Sequence, residues 1–117
     1  MHIEPGPPRF DEKDCEFEYA RWGMAAVQNV FAVVNTILGD TDRTVELLTA
    51  SRRLFQLPEV QFETGASACL TLFNPRETIT FVADQNRSKA SNNAFFGKTF
   101  KGRVLGIVTE NQYTLHQ

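Results

Sequence analysis

Residues 22–39 read WGMAAVQNVFAVVNTILG, from Trp22 to Gly39, without one charged side chain. From Phe17 onward, Phe17, Ala20, Met24, Val27, Phe31, Val34 and Leu38 recur at spacings of three and four. That spacing lays them along one stripe of a helix. A second stripe, Trp22, Ala26, Val30, Val33 and Ile37, runs beside it. A surface helix needs one apolar stripe, so two stripes predict a helix buried on most of its circumference. The stretch is interrupted by Gly23, Gln28, Asn29, Asn35 and Thr36. It is therefore short of the roughly 20 predominantly apolar residues of a membrane span.

The flanks give this helix its ends. Asp11, Glu12, Asp14, Glu16 and Glu18 crowd the expected first turns, where acids suit the positive end of the helix dipole. Gly39 accepts the left-handed geometry at the expected stop. One long helix from Asp11 or Asp14 to Leu38 is expected. Asp40 or Thr41 caps a second helix over 42–55, and Leu57-Pro58 ends it. Ahead of both lies an extended arm, residues 1–10, with Pro5, Pro7 and Pro8.

The rest of the chain reads as strand. Val60 to Glu63 makes a short one. Ala66 to Phe73 and Thr78 to Ala83 alternate apolar and polar, and Asn74-Pro75-Arg76-Glu77 between them is turn chemistry. A hairpin is expected there. Phe95 to Val108 supplies a further strand or two, with Gly97, Gly102 and Gly106 marking a bulge or a close packing contact. Thr109 to His116 adds a last short strand through Tyr113 and Leu115. Helices first and strands second predict an α+β fold. The expected architecture is a long and a shorter helix on an antiparallel sheet of about four strands. It forms one domain over 11–117.

The chain has 117 residues and ten phenylalanines, enough apolar side chain for a core without metal or disulfide. Cys15 and Cys69 lack metal-type spacing and read as reduced thiols of a cytoplasmic protein. The N-terminus shows no signal-peptide pattern. Net charge is −2, unevenly spread: residues 1–63 balance at −5 and residues 64–117 at +3.

One tract carries a candidate ligand surface. Between Asp84 and Glu110 there is no acid, while Arg87, Lys89, Lys98, Lys101 and Arg103 are present, with Asn92, Asn93 and Phe96 among them. Cations neutralise phosphate, small polar residues cradle it and an aromatic ring stacks a base. A mobile polar loop followed by a solvated edge strand is the plainer reading of the same residues and the favoured one. Catalytic signatures are absent: His2 and His116 sit near the termini, and no metal-binding or phosphate-loop motif occurs. No cofactor and no metal are expected.

The reading that follows is a small non-enzymatic binding protein. It acts as a homodimer through Trp22, Met24, Val27, Phe31 and Val34, and it engages a further, unknown protein partner. Two alternatives stay open. One is a binder of a phosphate-bearing ligand or single-stranded nucleic acid through residues 85–103. The other is a small ribonuclease-like enzyme using His116. Gln28, Asn29 and Asn35 are the polar residues of the apolar helix, and their surroundings decide whether it faces a cavity, an interface or solvent.

Overall fold

The computed structural model describes residues 14–20, 23–58, 60, 62–110 and 112–115. The Pro-rich arm, Asp11, Glu12, Trp22, His2 and His116 lie outside the described residues. Helix α1 is Val30–Leu38 and helix α2 is Thr41–Leu54. Strands β1, Ala68–Thr80, β2, Thr99–Glu110, and β3, Gln112–Leu115, form a three-stranded antiparallel sheet in the order β1-β2-β3. The α+β class is therefore borne out, with one strand fewer than expected.

The long helix is corrected. Helix α1 has nine residues, preceded by a single 3-10 turn at Val27–Asn29. Upstream, Asp14 to Ala20 makes only an isolated turn, with the amides of Tyr19 and Ala20 bonded to the Glu16 carbonyl. A local and a distant interaction combine to end it. Gly23 takes φ 102, outside helical geometry. The Ala25 amide then bonds to the Asn92 carbonyl at 2.8 Å instead of to its own turn.

The burial register of α1 also differs from the expected one. The buried residues are Asn29, Ala32, Val33 and Asn35. Val27 and Phe17, both assigned to the apolar stripe, are 90% and 93% exposed. The helix stripe that points inward is thus the one carrying the carboxamides.

Helix α2 follows its sequence signals closely. Asp40 is the N-cap, and its carboxylate accepts from the Arg43 amide at 3.0 Å. Thr44, fully buried, returns its hydroxyl to the Asp40 carbonyl at 2.8 Å. Arg52 and Arg53 lie in the last turn, where cations suit the helix dipole. The chain leaves through Phe55 and Gln56, the latter at φ 51.

The expected hairpin is a single strand. Strand β1 runs unbroken through Asn74-Pro75-Arg76-Glu77. Proline has no N–H for a ladder, and it is tolerated here because β1 is an edge strand. Half-buried and exposed positions alternate along β1 but slip by one residue at Thr71-Leu72. Ala68 and Leu70 are half-buried on one side of the slip, and Phe73, Pro75, Glu77 and Ile79 on the other. No strand forms at Val60, Phe62 or Glu63.

Strand β3 returns on β2 with Gly106 opposite Leu115 and Thr109 opposite Gln112. The two strand glycines serve close contacts, as their placement predicts. A Cβ at Gly106 would lie 2.6 Å from the Thr114 carbonyl oxygen. At Gly102, φ is 122 and a Cβ would lie 2.9 Å from the Phe31 ring.

The described residues fall into two compact units, one of residues 1–30 and 80–99, the other of residues 31–79 and 100–117. Among the described residues, no helix is long and apolar enough to cross a membrane.

Candidate functional site

In the first unit, the polar segment after β1 is fastened by carboxamides. Gln28 Nε2 donates to the Gln85 carbonyl at 2.8 Å, and Gln28 Oε1 accepts from the Arg87 amide at 3.0 Å. One side chain thus pairs with the backbone much as a neighbouring strand would. Asn92 works in the same way: its Nδ2 donates to the Gly23 carbonyl at 3.1 Å while its own carbonyl accepts from Ala25. Asn93 Nδ2 donates to Oδ1 of buried Asn29 at 2.9 Å, and Asn93 Oδ1 accepts from the Phe95 amide. Asn86 closes the loop tip by donating to the carbonyls of Ser88 and Ala90. A short 3-10 turn, Ala83–Gln85, leads into the segment.

An aromatic pair stands under this network. Phe81, 5% exposed, stacks on Phe96 with centroids 5.6 Å apart and planes 6° from parallel. The Phe81 amide and carbonyl bond to Lys98 and Gly97 respectively. The Thr80 and Thr99 hydroxyls share a hydrogen bond at 3.0 Å.

The second unit is centred on Asn35. Its Nδ2 donates to the carbonyls of Pro75 in β1 and Lys101 in β2, both at 3.0 Å. Its Oδ1 accepts from the Thr41 hydroxyl at the start of α2 at 2.9 Å. One buried carboxamide therefore ties α1 to two strands and to the next helix. Thr36 adds to it, accepting from the Lys101 amide at 2.7 Å. Phe31 packs on Phe73 with centroids 4.6 Å apart. Arg103 forms an ion pair with Glu77 at 2.7 Å.

The expected ligand residues are divided between the units. Arg87, Lys89, Asn92, Asn93, Phe96 and Lys98 belong to the first, and Lys101 and Arg103 to the second. Arg87, Lys89, Lys98 and Lys101 are exposed. Asn92 and Asn93 hold the loop, Phe96 is stacked on Phe81, and Arg103 is paired with Glu77. Of the residues expected at an interface, Met24 is 42% exposed, Phe31 lies against Phe73, Val34 is half-buried and Trp22 is outside the described residues.

The polar residues of the apolar stretch resolve differently from one another. Asn29 and Asn35 are internal joints, and Gln28 is an exposed staple. Sequence reasoning had singled them out by their place in an apolar run but did not pair them with Asn93, Pro75 or Lys101. Those partners are 40 to 66 residues away along the chain. Among the described residues, no group of three or more His, Cys, Asp or Glu stands together as metal ligands would.

No family model matches this chain. Individual proteins do. The dihydroorotase of Syntrophus aciditrophicus (strain SB) is 30% identical over 111 residues, which is 91% of this chain and 26% of that protein. The dihydroorotase of Chlorobaculum tepidum is 33% identical over 103 residues, 82% of this chain and 23% of that protein. The dihydroorotase of Clostridium acetobutylicum is 31% identical over 104 residues, 84% of this chain and 24% of that protein. The chain spans about a quarter of the length of the curated relatives it matches. These relatives are named for an enzyme, which overturns the expectation of a non-enzymatic binding protein and homodimer. The ribonuclease-like alternative falls with it, because the likeness is to dihydroorotases along most of the chain.

Proposed function

We propose that this chain acts as part of a dihydroorotase-type enzyme, whose substrate as a whole protein is dihydroorotate. The observation that carries this reading is the extent of the likeness. It runs through 80% to 91% of the chain in eight proteins that share that one name. A likeness of that reach includes both compact units and not a single motif.

Within such an enzyme, the described residues serve as framework. Their buried polar groups, Asn29, Asn35 and Thr44, are each spent on an internal hydrogen bond. Every buried side-chain nitrogen or oxygen among the described residues has a partner. Framework of this kind holds loops and strands at fixed positions so that reacting groups elsewhere in a protein stay in register. We place the enzyme in the cytoplasm, where the exposed thiol of Cys69 stays reduced.

The test is an activity assay on native material. The chromosomal copy is given an affinity tag, the protein is purified under mild conditions, and consumption of dihydroorotate is followed with and without added divalent metal. Consumption that tracks the tagged protein through a second column supports the reading. A pure preparation that leaves dihydroorotate intact under both conditions overturns it.

A further inference from the structure

The sequence carries a helical apolar stripe through Met24 and Val27, yet α1 begins at Val30. One residue of the loop after β1 stands where the helix stops. The Asn92 carbonyl accepts from the Ala25 amide at 2.8 Å, and Asn92 Nδ2 donates to the Gly23 carbonyl at 3.1 Å. Helical residues cannot offer both groups to one neighbour, because helical N–H groups point toward the N-terminus and C=O groups toward the C-terminus. The two bonds therefore hold residues 23–25 out of helical geometry. Gly23, at φ 102, supplies the backbone conformation they need.

The other ties to the loop are of a different kind. Gln28 reaches Gln85 and Arg87, and Asn29 reaches Asn93, each through its side chain. A side-chain tie leaves its own backbone free to be helical. Past the clamp, the chain is already wound. The Asn29 amide bonds to the Ala26 carbonyl and the Val30 amide to the Val27 carbonyl, each three residues back. Moving each donor to the carbonyl four residues back converts this 3-10 turn into α-helix.

We propose that Asn92 is a latch that sets the length of α1. With the latch closed, the helix begins at Val30. With it open, α1 extends back to Met24 as one continuous α-helix. The Gly23 carbonyl then accepts from the Val27 amide instead of from Asn92, so one hydrogen bond replaces another. Helix length and loop position are linked in this way. Whatever draws Asn92 away from Gly23 lengthens α1, and whatever holds the loop in place keeps it short. The inference is independent of the proposed function.

Backbone carbon shifts of the isotope-labelled full chain, measured by solution NMR, test this. Asn92→Ala removes the donor to Gly23. Gly23→Ala disfavours the positive φ of the latched state and favours helix. Both variants are expected to move the Cα shifts of residues 24–29 downfield to helical values. Parent-like shifts in α2 and the sheet check that the fold is intact. Asn93→Ala, which cuts a side-chain tie and leaves the clamp whole, is expected to give no such change. Parent-like or unstructured shifts at residues 24–29 in Asn92→Ala overturn the latch. Helical shifts in Gly23→Ala alone also overturn it, because glycine geometry and not Asn92 would then end the helix. Equal helical shifts in Asn93→Ala overturn it too, since any loosening of the loop would suffice.

Discussion

The two units of this chain order their backbones by different means. In the second unit the strands carry a hydrogen-bond ladder, and side chains are needed only where a helix meets it. Asn35 supplies that joint, with Thr36 beside it. In the first unit the backbone between Ala83 and Lys98 has no repeating pattern to satisfy it. Gln28, Asn86, Asn92 and Asn93 take over the role of a neighbouring strand, each pairing with backbone or with another carboxamide. A carboxamide offers both donor and acceptor, so it can mimic a peptide group where no peptide group is in reach. The difference predicts two kinds of failure. Loss of a joint in the second unit lowers the stability of a whole assembly of elements. Loss of a staple in the first frees a loop.

The largest effect is expected at Asn35. Asn35→Ala strips the Pro75 carbonyl and the Thr41 hydroxyl of their carboxamide partner, and leaves Lys101 with a longer bond from Thr36 at 3.4 Å. Removing one member of a buried polar network costs the desolvation of those left behind, about 3 kcal/mol here. Urea unfolding followed by circular dichroism should show a lower midpoint with an unchanged slope. Asn35→Leu should do no better, because the same groups stay buried. Recovery by leucine would mean that packing, not the carboxamide, makes the joint.

Gly102→Ala comes next. The added methyl meets Phe31 at 2.9 Å, and φ at this residue is 122, where L side chains are strained. Together these cost about 2 kcal/mol. Phe31→Leu relieves the clash but not the dihedral strain, so the double variant should recover only part of the loss. Full recovery would assign the whole cost to the ring contact.

Asn93→Ala tests the other unit. It orphans Oδ1 of buried Asn29 and unties the Phe95 amide, at about 1–2 kcal/mol. The comparison requires the effect to be local. Amide hydrogen exchange should speed up at Phe95 and its neighbours while the exchange of β2 amides is little changed. Equal acceleration in the β2 core would show that the two units open together and that the contrast between them is false.

Much of this architecture was legible in the sequence, and the failures trace to partners and neighbours distant along the chain. Helix α2 lies within a residue of its expected span because its signals are local: Asp40 caps it and Leu57-Pro58 stops it. Strand β3 was found through Tyr113 and Leu115 by alternation alone. The long helix failed because Ala25 bonds to Asn92, 67 positions later in the chain. The hairpin failed because Pro75 was read as a turn residue, and only the sheet order shows that it sits on an edge strand where a missing N–H is harmless. The candidate tract was visible as a basic run, but sequence could not show that Arg103 faces Glu77 or that Asn93 faces Asn29. Local propensity was read correctly at α2 and β3, and it was overridden at the long helix, where a distant carbonyl took the Ala25 donor.

The smallest expected effect bears on how far the ladder alone holds the second unit. The Glu77–Arg103 pair is short, 2.7 Å, but its side chains are 33% and 37% exposed. Solvent at that exposure screens the attraction, so Glu77→Gln should cost only about 0.5–1 kcal/mol. The deficit should shrink further in molar salt, because screening already weakens the pair in the parent chain. Strand β1 lacks one donor at Pro75, two residues from Glu77, and this pair is a side-chain tie to β2 near that gap. If melting curves at low and high salt show Glu77→Gln to be as damaging as Gly102→Ala, the tie and not the ladder holds the proline-containing edge. The second unit would then depend on side-chain staples as the first does, and the contrast would reduce to the single joint at Asn35.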